Sequence, residues 1–153
     1  MYKFVDKEDI KVYSDVEPDV DTKEILPTTK EYELDRIKKK PYINKRNITF
    51  NINIKYNLFF DTNYDYDGAT IPFGFRWMFG GKGNPGFLAA AMVHDKMCEC
   101  PWLIDYDRAL SSKVFYEMLL ACKINKVEAK IMYYAVDIFQ RLNGKWKRKW
   151  LIQ

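Results

Sequence analysis

Histidine, cysteine and long apolar runs are all scarce in this sequence, and each scarcity limits what the protein can be. The three cysteines, Cys98, Cys100 and Cys122, are odd in number and unevenly spaced, which argues against a disulfide framework. The longest apolar runs, such as 87–93, are far shorter than the roughly 20 residues of a membrane span. The first residues have no apolar signal-peptide core. We therefore expect a protein without a membrane span that is made in the cytoplasm.

The composition is that of a folded protein. Hydrophobic residues make up 48% and charged residues 30% of the 153 residues, which predicts one globular domain and excludes a mostly disordered chain. The net charge of +4 is unevenly distributed. Residues 1–35 hold eleven acids and five bases and carry −6, so the rest carries +10. The acidic segment is expected either to wrap around the basic body or to attract different partners.

The first half of the chain contains a β-strand pattern. Apolar and polar residues alternate strictly from Ile48 to Tyr56, which predicts a strand with one face on a core. Asn57 is expected to turn the chain into an antiparallel second strand, Leu58 to Asp61. The segment 31–36 could add a short strand.

Three helices are expected in the second half. Asn84 and Pro85 suit the start of the first, which runs to about Glu99, while Asp105 and Asn125 suit the caps of the second and third. Apolar stripes at helical spacing mark the last two helices: Leu110, Val114, Met118 and Cys122, then Val127, Ile131, Tyr134, Ile138 and Leu142. The sequence thus predicts an α+β fold, with a small antiparallel sheet from the N-terminal half packed against three C-terminal α-helices.

We divide the chain into an N-terminal arm (1–44), a core domain (45–143) and a basic aromatic tail (144–153). The tail mixes cations with two tryptophans, which could bind an acidic protein surface, an anionic membrane or nucleic acid. The alternative is a solvated end whose tryptophans dock on the body. The candidate partner-binding residues of the tail are Lys145, Trp146, Lys147, Arg148, Lys149 and Trp150.

The only histidine, His94, is the leading candidate for chemistry. Asp95 follows it directly, so on a helix the two side chains point about 100° apart and Asp95 cannot easily orient the imidazole. Asp67, in an upstream loop, is the acid most suited to that role. A histidine in a cleft suits acid–base work or metal binding, and the small Ala90 and Ala91 leave room over its ring. The alternative is a core histidine that joins sheet to helices.

The loop 67–72 supplies the second half of this candidate site. Gly68 permits a positive φ, Ala69 is small, and Pro72 keeps the preceding residues extended. Asp67 could form a turn, cap a helix or act as a ligand. We treat Gly68, Ala69 and Pro72 as structural loop residues.

Two further patterns are weaker. The glycine-rich loop 80–85 precedes a helix and could bind an anion, but it lacks the spacing of a P-loop. Cys98 and Cys100 lie near His94, but their spacing does not fit a closed zinc site. No cofactor is expected, apart from the option of a divalent metal near His94 and Asp95.

Several of these motifs occur together in a known family. The loop 67–72, the aromatic segment around Trp77, the run 89–95 and the segment 132–136 resemble the phage and prophage proteins grouped as domain of unknown function 1353, over roughly residues 45–143. The resemblance implies a phage origin and one constellation of His94, Asp95 and Asp67, but no established activity.

The chain departs from that family in two places. Phe73 stands where the family usually has a basic residue, and Ser111-Ser112 replaces an Ala-Asp pair. If that aspartate completes a site, this chain lacks part of it. The order of glycine loop and helical His94-Asp95 is also similar to secreted phospholipase A2, where the loop and the aspartate hold calcium. The spacing here is too short for that family, and its disulfides are missing.

Taken together, these patterns favour a phage-encoded, virion-associated structural protein of the tail or neck that acts by protein–protein contacts. Its partners would be other phage structural proteins or further copies of itself, first in the host cytoplasm and then in the virion. One alternative is a small hydrolase that uses His94 with Asp95 or Asp67, with or without a metal ion. Another is a host-directed inhibitor made early in infection. The absence of a complete catalytic set favours a non-enzymatic role.

Overall fold

The computed structural model describes residues 1–22, 25, 27–40, 42–66, 85–142 and 146. Within these ranges the chain forms seven strands, four α-helices and one short 3₁₀ helix. In chain order they are β1 (Tyr2–Asp6), β2 (Lys11–Ser14), β3 (Val20–Thr22), α1 (Glu31–Lys39), β4 (Tyr42–Asn44), β5 (Ile48–Ile52), β6 (Tyr56–Phe60), β7 (Asp65–Tyr66), α2 (Pro85–Glu99), the 3₁₀ helix (Pro101–Ile104), α3 (Arg108–Ala121) and α4 (Lys126–Leu142).

The main sheet has four antiparallel strands in the order β1-β2-β5-β6. The alternation in β5 behaves as expected, because Ile48, Phe50 and Ile52 are fully buried while the residues between them are partly exposed. β1 and β2 come from the segment 1–44; β1 pairs with β2, and β2 pairs with the core strand β5. The turn between β1 and β2 is held against α3 by an ion pair between Lys7 and Glu117 at 2.6 Å.

The turn after β5 comes earlier than the alternation predicts. The chain turns at Asn53 and Ile54, both with positive φ (54° and 62°), and not at Asn57. The Oδ1 atom of Asn53 accepts a hydrogen bond from the Lys11 amide at 2.8 Å, which fixes the turn to the neighbouring strand. Because the apolar Ile54 continues the alternation in the sequence, the pattern predicts a strand at the position where the chain turns.

Three short strands form a second antiparallel sheet in the order β3-β4-β7. The expectation of a strand at 31–36 is wrong, because these residues lie in α1. Acids in the first turn of α1 and bases in its last turn favour the helix through its macrodipole. The α+β class is confirmed, with four α-helices in the described chain and not three.

α3 packs between α2 and α4, and it contacts β1 of the main sheet. α2 has the predicted bounds, and its apolar run 88–93 is buried on all sides. α3 is capped by Asp107 and not by Asp105, since Asp105 takes a left-handed conformation after the 3₁₀ helix. α4 begins after Asn125, whose Oδ1 atom accepts a hydrogen bond from the Val127 amide at 2.8 Å.

The sequence pattern identified the wrong side of α4 as its core side. Ala129, Met132 and Val136 are the buried apolar residues, whereas the predicted stripe from Val127 to Leu142 faces outward. Periodicity finds an apolar face but does not say which neighbour it meets. Among the described residues, no helix is both long and apolar enough to cross a membrane.

Candidate functional site

The second half of α2 presents its polar residues on two adjacent faces. His94 is 2% exposed and Asp95 is 7% exposed. Helix geometry places Cys98 one turn after His94, and Glu99 one turn after Asp95. The predicted divergence of His94 and Asp95 is therefore present, and each has different neighbours.

His94 lies at the contact between α2 and α3. The Sγ atom of Cys98 is 3.6 Å from Nε2 and 3.8 Å from Nδ1 of the imidazole. Nearly equal distances to both nitrogens indicate that the thiol packs against the ring without aligning with the lone pair of one nitrogen. The Phe115 ring of α3 has its centroid 4.9 Å from that of His94. Through these two contacts the imidazole packs between α2 and α3.

The Asp95 face meets the end of the main sheet and the end of α1. The Tyr64 hydroxyl donates to Oε2 of Glu99 at 3.2 Å, and Nζ of Lys40 donates to Oε1 at 3.2 Å. The Lys96 ammonium lies 5.2 Å from the centroid of the Tyr64 ring. We call Lys40, Tyr64, Asp95, Lys96 and Glu99 the α2 polar cluster.

Electrostatics in this cluster keep the Tyr64 phenol protonated. Burial, and then the negative charges of Glu99 and Asp95, raise the pKa of Tyr64 well above its usual value. The phenol therefore acts as a hydrogen-bond donor at neutral pH and not as a base. Sequence reasoning missed Tyr64, and the signal that could have pointed to this side of α2 is the spacing of Asp95 and Glu99, which are four residues apart on a helix and share an acidic face.

Arg36 holds the chain just before the Asp67 loop. Its Nε and Nη2 atoms donate to Oδ2 and Oδ1 of Asp65 at 2.7 and 3.2 Å. Such a two-pronged pair fixes orientation as well as distance. Asp67 itself, with Gly68, Ala69 and Pro72, lies outside the described residues, so its contact with His94 stays a prediction.

Of the predicted tail residues, the structure describes Trp146. Its side chain is buried, and its Nε1 atom donates to Oε1 of Gln140 on α4 at 3.0 Å. This tryptophan is docked on the body. Lys145, Lys147, Arg148, Lys149 and Trp150 lie outside the described residues, as does the loop 80–84.

A second polar centre, which sequence reasoning missed, joins α3 to α4. The buried Asp137 carboxylate accepts hydrogen bonds from Arg108, from the Ser112 hydroxyl at 2.9 Å and from Nε of Arg141 at 3.1 Å. Ser112, at one of the positions where the chain departs from its family, thus has a structural partner. The pairing of Asp137 with Arg141 four residues later was the signal available in the sequence. We call these four residues the Asp137 cluster.

The described residues contain no group of three or more His, Cys, Asp or Glu side chains that could hold a metal ion. Cys98 and Glu99 flank different faces of α2, so the acids and thiols near His94 do not converge on one point.

Comparison with known proteins places this site in a family. The family model described as "Protein of unknown function (DUF1353)" matches residues 45–136, which include β5 to β7, α2, α3 and much of α4. This chain belongs to that family. The DUF1353 match also contains His94, Asp95 and the Asp67 loop, and it confirms the resemblance drawn from the sequence motifs.

Part of the chain is also similar to a longer protein. The "Uncharacterized protein y4iH" of Sinorhizobium fredii (strain NBRC 101917 / NGR234) is 33% identical over 78 residues, which make up 48% of this chain and 29% of that protein. The match thus spans less than a third of the relative's length. No solved structure matches the chain.

Proposed function

We propose that this chain is a phage-encoded structural protein of the virion, at the tail or neck, that acts through contacts with other phage structural proteins and with further copies of itself. It is made in the host cytoplasm and then incorporated into the particle. The phage context comes from the family resemblance. The mode of action comes from the surface and from the position of the candidate catalytic residue.

The observation that carries the proposal is the apolar outer face of α4. Contiguous exposed apolar side chains on a protein surface are typical of sites where another macromolecule binds. His94, by contrast, is almost completely buried against Phe115 and Cys98. A general base has to reach the proton that it removes, and this imidazole is turned to the protein interior.

The test is mass spectrometry of virions purified through density gradients from the phage that encodes the chain. We expect a constant ratio of this protein to the tail and neck proteins through successive purification steps, with late expression. A non-structural protein of the same phage, which should disappear on purification, is the control. If the protein were present in the lysate but absent from purified virions, the proposal would be refuted. Early expression would favour a host-directed inhibitor.

The hydrolase remains the second candidate because of the α2 polar cluster. Ionisable groups with shifted pKa values gather at catalytic sites more often than elsewhere, and the pKa of Tyr64 is raised here. Ester, phosphodiester and peptide substrates, with and without divalent cations, provide the assay. Turnover that His94→Gln abolishes while the stability is unchanged would replace the structural proposal.

A further inference from the structure

The outer face of α4 carries a continuous line of apolar side chains. Val127, Tyr134, Ile138 and Leu142 are between 52 and 83% exposed, and Ile131 lies half-buried among them. They follow one another at steps of three or four residues, so they share one side of the helix. We call these five residues the α4 seam.

The opposite side of α4 is already occupied. Ala129, Met132 and Val136 are buried there, and α4 packs on α3. A helix on the outside of a protein normally has one apolar face and a polar face opposite to it. α4 has apolar residues on both sides, which is typical of a helix that is packed between two layers.

We infer that the α4 seam binds the same seam of a second copy of this chain, with the two helices antiparallel. A closed two-fold dimer requires a patch that is complementary to itself. If the two-fold axis passes between Tyr134 and Ala135, the Tyr134 ring of each copy lies over the Ala135 side chain of the other copy. The same register brings Ile131 of one copy against Ile138 of the second copy. A parallel pair would instead set the two Tyr134 rings against each other.

The size of the seam fits a modest dimer. The four exposed side chains and the half-buried Ile131 together expose about 500 Å² per copy, which is within the roughly 300–600 Å² of the largest apolar patch on a typical monomer. Two seams together would bury about 1,000 Å², at the lower end of specific protein interfaces. Interfaces of this size are typical of weak and transient complexes, so we expect a dimer that dissociates on dilution. The dimer assigns one occupant to the apolar α4 surface on which the proposed function rests. Light scattering tests the dimer and the composition of purified virions tests the proposed function, so each can fail separately.

Light scattering coupled to size-exclusion chromatography tests the dimer. The chain has a mass of 18.3 kDa, and we expect twice this mass at about 100 µM, falling toward the monomer mass on dilution. Ile138→Asp should weaken the dimer about tenfold or more, because it puts a charge in the middle of the apolar contact. Ile54→Asp is the matched control: the same substitution at a side chain that is 74% exposed on the β5–β6 turn.

Each result decides for or against the seam. A wild-type monomer at about 100 µM, an unaffected Ile138→Asp dimer, or equal loss in Ile54→Asp would overturn the inference. Circular dichroism shows whether Ile138→Asp folds, and Val127→Asp serves in its place if it does not. Mixing Ile131→Cys with Ile138→Cys under oxidation should give mainly mixed disulfide dimers. Disulfides between two identical variants would overturn the antiparallel register.

Discussion

Asp137→Asn should destabilise the protein by about 2–3 kcal/mol, because the substitution keeps the shape of the side chain and removes its charge. The carboxylate is 8% exposed and joins α4 to α3 through Arg108 and Ser112. Hydrogen bonds to a charged partner contribute about 1.5–3 kcal/mol, and Arg108, whose side chain is 22% exposed, would lose its counter-charge. Arg141 is mostly exposed and adds no more than about 0.5 kcal/mol.

Urea unfolding followed by circular dichroism measures this loss, as a lower midpoint with an unchanged slope. The matched control is Asp35→Asn, whose carboxylate is exposed and pairs with Lys39 on α1. That variant should stay within about 0.5 kcal/mol of the wild type. If Asp137→Asn also stayed within this margin, the Asp137 cluster would not be a stabilising link and the reasoning would be refuted.

Two further changes test the turn and the α2 polar cluster. Ile54→Gly should raise the free energy of unfolding by about 1 kcal/mol, because a β-branched residue at φ 62° is strained and its exposed side chain loses little burial. Thermal unfolding measures this change, and a midpoint below that of the wild type would contradict it. The raised pKa of Tyr64 means that the unfolded chain releases the phenol proton first, so this contribution to stability is complete below about pH 10 and is lost as the pH rises above it. Tyr64→Phe should therefore lose stability less steeply above pH 10, and identical slopes in urea unfolding at pH 9 to 11 would disprove the assignment.

Local signals in the sequence were sufficient for several elements. Alternation found β5, and proline, asparagine and the end of the apolar pattern located α2 and the start of α4. These features depend on neighbours in the chain, so spacing and capping chemistry are enough to predict them. The left-handed pair Asn53 and Ile54 was not predictable in this way, because the hydrogen bond from distant Lys11 fixes the turn.

In the candidate functional site, too, the features set by local spacing were predictable and those set by tertiary packing were not. The divergence of His94 and Asp95 follows from helix geometry and was predicted. The roles of Tyr64 and Lys40 were not, since both reach Glu99 only after the sheet and α1 pack on α2. The inner face of α4 is likewise chosen by contacts with α3, including those of Asp137, and not by the apolar stripe that dominates its sequence.

The enclosure of His94 within the fold is the feature that argues most directly against its use as a general base. His94 is the only histidine, so its carbethoxylation by diethyl pyrocarbonate, followed at 240 nm, reports on this one side chain without interference from another imidazole. The folded protein should react at least about 100-fold more slowly than the chain in urea, because His94 is 2% exposed in the folded chain and becomes accessible only on local or global unfolding. A rate in the folded protein within about threefold of the unfolded rate would place His94 in an open cleft and contradict the account.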